Sequence, residues 1–375
     1  MILKPLNNKR AVAAAPRTRS SSGGVCEHGG VVGVGAVVLC AVAMHAGAAH
    51  AGEFAGGAIE TTLEYKADYV FPLAGAPNDV VSTLQGVDNI EVDRHRLRLY
   101  EFWVEAAMGE GSVRAGLYDL NSEFYATESA GLLIAPAFGI GSEIAATSPN
   151  GPSIFPSTAL AVRVSMPISK RAAFMIAVIN AEAGVLGDPD GVDTEFEHGV
   201  LAVSELTWSG DTNLSFGAWS YTDRQDDIRD ANEFGDPVRR RAFGGYATIE
   251  RRLVGDADSA RATTGFLRVG FSDGDTTPYS GGWQAGLLID RVLAGRPRSA
   301  LSVGINQGIL NNKFRANALD LGEPVERSET QIEITYSDMI GPVMLQPDLQ
   351  LIPNPGVDPT RDAALVATLR FLIAI

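Results

Sequence analysis

Apolar and polar residues alternate with a period of two through most of this chain, and nothing else in the sequence restricts the fold as much. A period of two puts successive side chains on opposite faces of a strand. From Ile59 to Tyr69 the odd positions are mostly apolar and the even ones charged or hydroxylic. Leu97 and Leu99 alternate with Arg94, Arg96 and Arg98; Val113, Ala115 and Leu117 with Arg114, Gly116 and Tyr118; Leu160, Val162 and Val164 with Ala161, Arg163 and Ser165. The pattern returns around Arg268, from Leu301 to Asn306, from Ile332 to Tyr336, and in the last segment, where Leu365, Ala367, Leu369, Phe371, Ile373 and Ile375 share a face. About fourteen such strands are legible, bounded by Gly, Pro, Asp and Asn clusters with turn chemistry. No long amphipathic helix, short-period repeat or low-complexity tract accompanies them.

Alternation leaves the medium on each side open. A soluble sandwich turns its polar face to water; an outer-membrane barrel turns its apolar face to lipid and its polar face to a lumen. The N-terminus favours the second. Lys4, Lys9, Arg10, Arg17 and Arg19 precede an apolar run from Gly30 to Ala43 and an Ala49-His50-Ala51 cleavage pattern, so residues 1–51 read as a signal peptide and 52–375 as the exported barrel. The run is too short and Gly-rich for a permanent membrane helix, which needs about 20 residues. Both cysteines, Cys26 and Cys40, fall in the segment to be removed, so the exported chain has no disulfide.

Charge narrows the partners. With 45 acidic and 30 basic residues, net −15, the chain has the wrong sign for a phosphate-neutralising nucleic-acid binder. Acidic stretches such as Gly187 to Glu195 and Tyr221 to Arg241 read as external loops, and Pro167-Ile168-Ser169-Lys170 as a periplasmic turn. The acid excess would repel anionic solutes or bind divalent ions shared with lipopolysaccharide.

Catalytic and metal motifs fare poorly. Gly270-Phe271-Ser272-Asp273-Gly274 fits a nucleophile elbow, but turn residues follow instead of a helix, and no histidine occurs after His198. Asp188, Asp190, Asp193 and Glu195 lack the full calcium-loop spacing and read as a solvated loop. His95 and His198 have no ligand partners at metal spacing. No cofactor or metal site and no enzyme activity is expected.

The segment Gly116-Leu117-Tyr118-Asp119-Leu120-Asn121-Ser122-Glu123-Phe124, with Phe138-Gly139, Pro149-Asn150-Gly151-Pro152, Phe155-Pro156, Gln346-Pro347-Asp348-Leu349-Gln350 and Asn354-Pro355-Gly356, resembles the carbohydrate-selective porins, the OprB-like family. The resemblance runs from about Glu60 to the C-terminus. It implies an all-β, antiparallel, sixteen-stranded transmembrane barrel in the bacterial outer membrane that admits small sugars by diffusion. The two strands beyond the legible fourteen are expected within Asn121 to Phe155 or among the loops. Such barrels usually end on an aromatic residue read by the barrel-insertion machinery, whereas this chain ends on Ile375. Monomer and homotrimer both remain open.

A sugar is neutral and polyhydroxylated with apolar ring faces, so a selective lumen needs opposed donors and acceptors together with an aromatic face. Arginine offers five donors in a fixed fork. The alternation puts Arg94, Arg96, Arg98, Arg114 and Arg163 on the non-lipid face, while Asn121 and Glu123 lie in the family-like motif just beyond the third strand. These residues are the expected pore lining, set against the plainer reading that the arginines merely pair with carboxylates to stabilise the wall. Trp103, beyond a phase slip at Glu101, stacks on sugars if it faces inward; the preferred reading places it, with Trp208, Trp219 and Trp283, in the interfacial belt. Gln346, Asp348 and Gln350 are expected to line the pore. The rivals to a sugar porin are a general diffusion pore, an outer-membrane hydrolase using Ser272, and a soluble glycan-binding sandwich.

Overall fold

The computed structural model describes residues 32–33, 37–46, 52–54, 57–71, 77–90, 100–148, 150–185, 191–255 and 261–373. Three N-terminal strands, β1 (Val32–Gly33), β2 (Val37–Ala46) and β3 (Gly52–Phe54), precede a long meander. It comprises β4 (Gly57–Phe71), β5 (Glu101–Met108), β6 (Gly111–Tyr118), β7 (Ala159–Pro167), β8 (Ala172–Asn180), β9 (Val200–Trp208) and β10 (Thr212–Ala231). It continues through β11 (Pro237–Val254), β12 (Thr263–Ser272), β13 (Tyr279–Asp290), β14 (Ala300–Leu310), β15 (Ser328–Ile340), β16 (Val343–Ile352) and β17 (Ala364–Ile373).

Each strand from β4 to β17 pairs antiparallel with the next, and β2 joins the two ends of the run, antiparallel to β4 and parallel to β17. The sheet therefore closes on itself, which removes the exposed edges that an open sheet would offer to other chains. Among the described residues the consecutive antiparallel run counts fourteen strands, against the sixteen that the resemblance implies.

Burial decides between the two media. Outward positions carry Phe102, Val162, Phe216, Leu267, Val269, Phe271, Ile334 and Leu349, all exposed, while Arg163, Arg268, Asn306, Glu333, Thr335 and Gln350 point inward and are buried. Leaving such apolar side chains in water forgoes roughly 1.5–3 kcal/mol each, so a belt of them is sustainable only against lipid. A soluble sandwich would show the reverse pattern, and that reading is set aside.

Connections differ in length between the two rims, as in outer-membrane barrels. One rim has Gly109-Glu110, 168–171, 209–211, Gly341-Pro342 and the somewhat longer 255–262 and 291–299; the other has 119–158, 181–199, 311–327 and 353–363 with the shorter 232–236 and 273–278. The expected tight turn after Pro167 is present, with Ser169 Oγ accepting from the Ala172 N–H at 3.1 Å.

Two expectations need correction. Tyr221 to Arg241 is not a loop: β10 and β11 continue as a ribbon to a turn at 232–236, with Arg224 paired to Arg241 and Asp226 to Arg239. Beyond the membrane the ribbon no longer separates lipid from lumen, so the alternation disappears while the strand persists. Nor does Asn121 to Phe155 contain barrel strands among its described residues. It holds 3-10 turns at Leu120–Ser122 and Glu128–Ala130 and one-turn helices α2 (Pro136–Gly139) and α3 (Ser142–Ala145). This Ala-, Gly- and Pro-rich stretch folds into the ring, where Phe124, Tyr125 and Ile144 form a core with Trp219 and Tyr246. Helices α1 (Pro77–Val81) and α4 (Asn312–Asp320) lie in two further long-rim connections.

Candidate functional site

The pairing of β5, β6 and β7 sets Glu105, Arg114 and Arg163 in one inward row, Glu105 opposite Arg114 and Arg114 opposite Arg163. Two arginines directly across a strand pair repel. Glu105 bridges them from one side: Arg114 Nη2 donates to its Oε2 at 2.6 Å and Arg163 Nη2 to its Oε1 at 3.2 Å. Glu123, delivered by the 3-10 turn after β6, bridges them from the other. Arg163 donates to it through Nε and Nη2, both at 2.8 Å, and Arg114 Nη1 lies 3.4 Å from Glu123 Oε2.

Ser112 and Tyr118 complete the set. Arg163 Nη1 donates to Ser112 Oγ at 2.7 Å and Tyr118 donates to Glu123 at 2.6 Å. The Arg163 side chain is only 2 % exposed, but Arg114, Glu105 and Glu123 keep 15, 20 and 22 % of theirs open. The group has two positive and two negative charges, with donors and acceptors still reachable from the lumen.

Of the sequence-expected residues, Arg114, Arg163 and Glu123 come together here. Arg94, Arg96 and Arg98 lie outside the described residues, as does His95. Trp103 faces inward, on the pore-lining side rather than in the belt, but the Arg114 guanidinium stacks on its ring at 3.6 Å, so that face serves the charge cluster. Trp219 is also inward and buried in the core, for it shares the phase of Tyr221 rather than that of lipid-facing Phe216. Trp208 is exposed at a strand end beside the short-turn rim, as a belt residue should be. Trp283 lies on the outer face, donating to Gln307 at 3.2 Å. Asn121 stays local: its amide donates to the Phe124 carbonyl at 3.2 Å and does not enter the cluster.

The opposite wall has a different task. Inward carboxylates there hold backbone N–H groups of the threaded segments, which have no strand partners of their own. Glu333 accepts from Ile134 and Ala135 at 2.5 and 3.0 Å; Glu329 accepts from Leu84, Gln85 and Gly356. Arg268 donates to the carbonyls of Phe138, Tyr125 and Gly139, and its guanidinium lies over the Tyr125 ring at 4.5 Å. Gln346 and Gln350 do face inward, but they donate to Leu132 and Val87, and Asp348 accepts from Thr335. These three therefore anchor the insert and wall instead of meeting solute, because the insert fills that side of the lumen. The period of two had already put Arg268 and Glu333 on the polar face, although it gave no sign of what they would hold.

Ser272 donates to the Tyr279 carbonyl at a strand–turn–strand junction, not at a nucleophile elbow. Asp193 accepts from Asn180 and from the Glu195 N–H, while Asp188 and Asp190 lie outside the described residues.

A closed antiparallel barrel with an apolar outer belt, alternating rims and a charged lumen narrowed by an inward-folded segment is an outer-membrane channel. Residues 73–374 match the carbohydrate-selective porin family, OprB, and the chain belongs to it. It is thus an outer-membrane carbohydrate porin, a channel and not an enzyme. Among solved structures, the high-pH form of Pseudomonas putida OprB shares the fold at 19 % identity and a TM-score of 0.71, covering 83 % of this chain and 81 % of that one. An anion-selective porin from Comamonas acidovorans has 12 % identity and a TM-score of 0.46 over 85 and 82 % of the two chains. No curated protein sequence matches.

Proposed function

We propose that sugars cross this barrel past the Glu105, Arg114, Glu123 and Arg163 cluster, which forms the polar side of the constriction. The observation that carries this reading is charge balance. Two arginines and two glutamates, interlocked within hydrogen-bond distance, give strong local dipoles with no net charge. An ion of either sign meets attraction and repulsion together, whereas a neutral polyol can replace its water with alternating donors and acceptors. Partial pairing keeps the exchange shallow, so a sugar is desolvated without being held, as conduction requires.

Residues 1–51 are proposed to be cleaved on export. In their absence β4 and β17, already antiparallel to one another on either side of β2, would face each other across the closing seam. Small sugars are the proposed solutes, with lipid, lipopolysaccharide and the insertion machinery as partners of the surface.

The test is sugar uptake by proteoliposomes. Glu123→Gln with Arg114→Gln keeps net charge while removing one charge of each sign. This variant should lose preference for a disaccharide over an uncharged non-sugar of similar size; an unchanged preference would remove the cluster from the pathway.

A further inference from the structure

On the lipid-facing side of β11 to β15 lies an apolar furrow of about 700 Å³, walled by Ile249, Leu253, Leu267, Leu287 and Val303. Its floor dips at Gly265. A Cβ built there would come within 2.9 Å of Leu253 and 3.3 Å of Leu287, so the two leucines flank a position that only hydrogen occupies. Gly265 pairs with Leu287 on one neighbour and with Arg251 on the other. Arg251 is exposed on the outer face, in phase with Ile249 and Leu253, and it has no carboxylate partner among the described residues.

Depth fixes which lipids this surface meets. Gly265 is two residues from the start of β12, roughly 7 Å from the short-turn rim at strand rise. Short turns mark the periplasmic side of such barrels. Just beyond the rim, Arg261, Arg291 and Arg298 stand exposed in the two adjoining turns. A guanidinium at headgroup level with no carboxylate partner among the described residues is tolerated near an interface and gains from a phosphate.

From this combination we infer that the furrow binds an anionic phospholipid of the periplasmic leaflet, with one acyl chain over Gly265 and the phosphate on Arg251. Charge complementarity selects this occupant: a second copy of the chain would have to bring a carboxylate into the lipid belt to meet Arg251.

Native mass spectrometry of the folded, detergent-purified protein with phosphatidylglycerol or phosphatidylethanolamine tests this inference, with heat-modifiable gel mobility as the folding control. Wild type should retain phosphatidylglycerol over phosphatidylethanolamine, and Arg251→Gln should lower that preference roughly five-fold, the loss of one arginine beside an anionic headgroup. Gly265→Leu should lower retention of both lipids. Equal retention of the two lipids by wild type, or an undiminished preference in folded Arg251→Gln, would overturn the inference. So would an oligomer that Gly265→Leu converts to monomer, since a second copy would then cover the furrow.

Discussion

Arg163 and Glu123 lie forty residues apart in the chain and meet through two parallel hydrogen bonds of 2.8 Å, Nε to Oε2 and Nη2 to Oε1. This fork ties the barrel wall at β7 to the first turn of the inward-folded segment. Glu123→Gln keeps the side chain's shape but leaves the Arg163 guanidinium, 2 % exposed, with Glu105 as its remaining carboxylate. Unfolding in detergent should show a loss of about 2 kcal/mol, below the roughly 3–5 kcal/mol for breaking a fully buried pair, because Glu105 persists and Glu123 is partly open. Sugar affinity should fall with it.

Glu333 governs the opposite anchor. Glu333→Ala leaves the Ile134 and Ala135 N–H groups without their acceptor, a penalty of about 1–3 kcal/mol for each group left unsatisfied. The inserted segment should loosen while the lipid-facing belt, which Glu333 does not touch, stays formed. Single-channel recordings should then show higher and noisier conductance with unchanged heat-modifiable mobility; wild-type conductance would mean that the segment does not set the bore.

Gly116 has φ +144, and a Cβ there would meet the Phe102 carbonyl oxygen at 2.2 Å and the Trp103 Cα at 2.6 Å, both backbone atoms. Gly116→Val should therefore separate β5 from β6, displacing Trp103 from Arg114. Loss of the compact, heat-modifiable form on a gel is the expected outcome.

Outside the membrane, Lys313 of α4 binds Asp227, Asp230 and Asp275, and Arg240 adds a second cation at Asp227. Burial raises the Asp227 carboxyl, but Lys313, the Asp230 and Arg229 N–H groups and Arg240 outweigh it and hold it at about 2, below its usual 3.8. Because the folded value is depressed, the contact contributes fully above about pH 4 and is lost as pH falls through about 2. Hydrogen exchange of α4 should accelerate across that window. Lys313→Gln should move the midpoint up toward the ordinary carboxylate range; an unmoved midpoint would mean that Lys313 does not hold Asp227 down.

What the sequence made legible follows from the reach of each interaction. Leu267, Val269 and Phe271 against Arg268 state both faces of β12 within five residues, because strand alternation is local. The convergence of Arg114, Arg163 and Glu123 was legible for the same reason: the first two shared a face and the third lay just past a strand. The inward fold of 119–158 was not legible, since its partners are distant, Glu333 being 199 residues from Ile134. Trp219 and the extended ribbon were misread because the sequence does not mark where the membrane ends along a twenty-residue strand. A tryptophan near that boundary can serve either the belt or the core.

The central claim is that a charge-balanced arginine–glutamate constriction passes sugars selectively. Single-channel conductance in a planar bilayer, titrated with glucose, maltose and a non-sugar of similar size, tests it most directly. The account predicts concentration-dependent block by the sugars alone, weakened when Glu123 and Arg114 are both replaced by Gln. Equal block by all three solutes, or by none, would contradict it and leave an unselective pore.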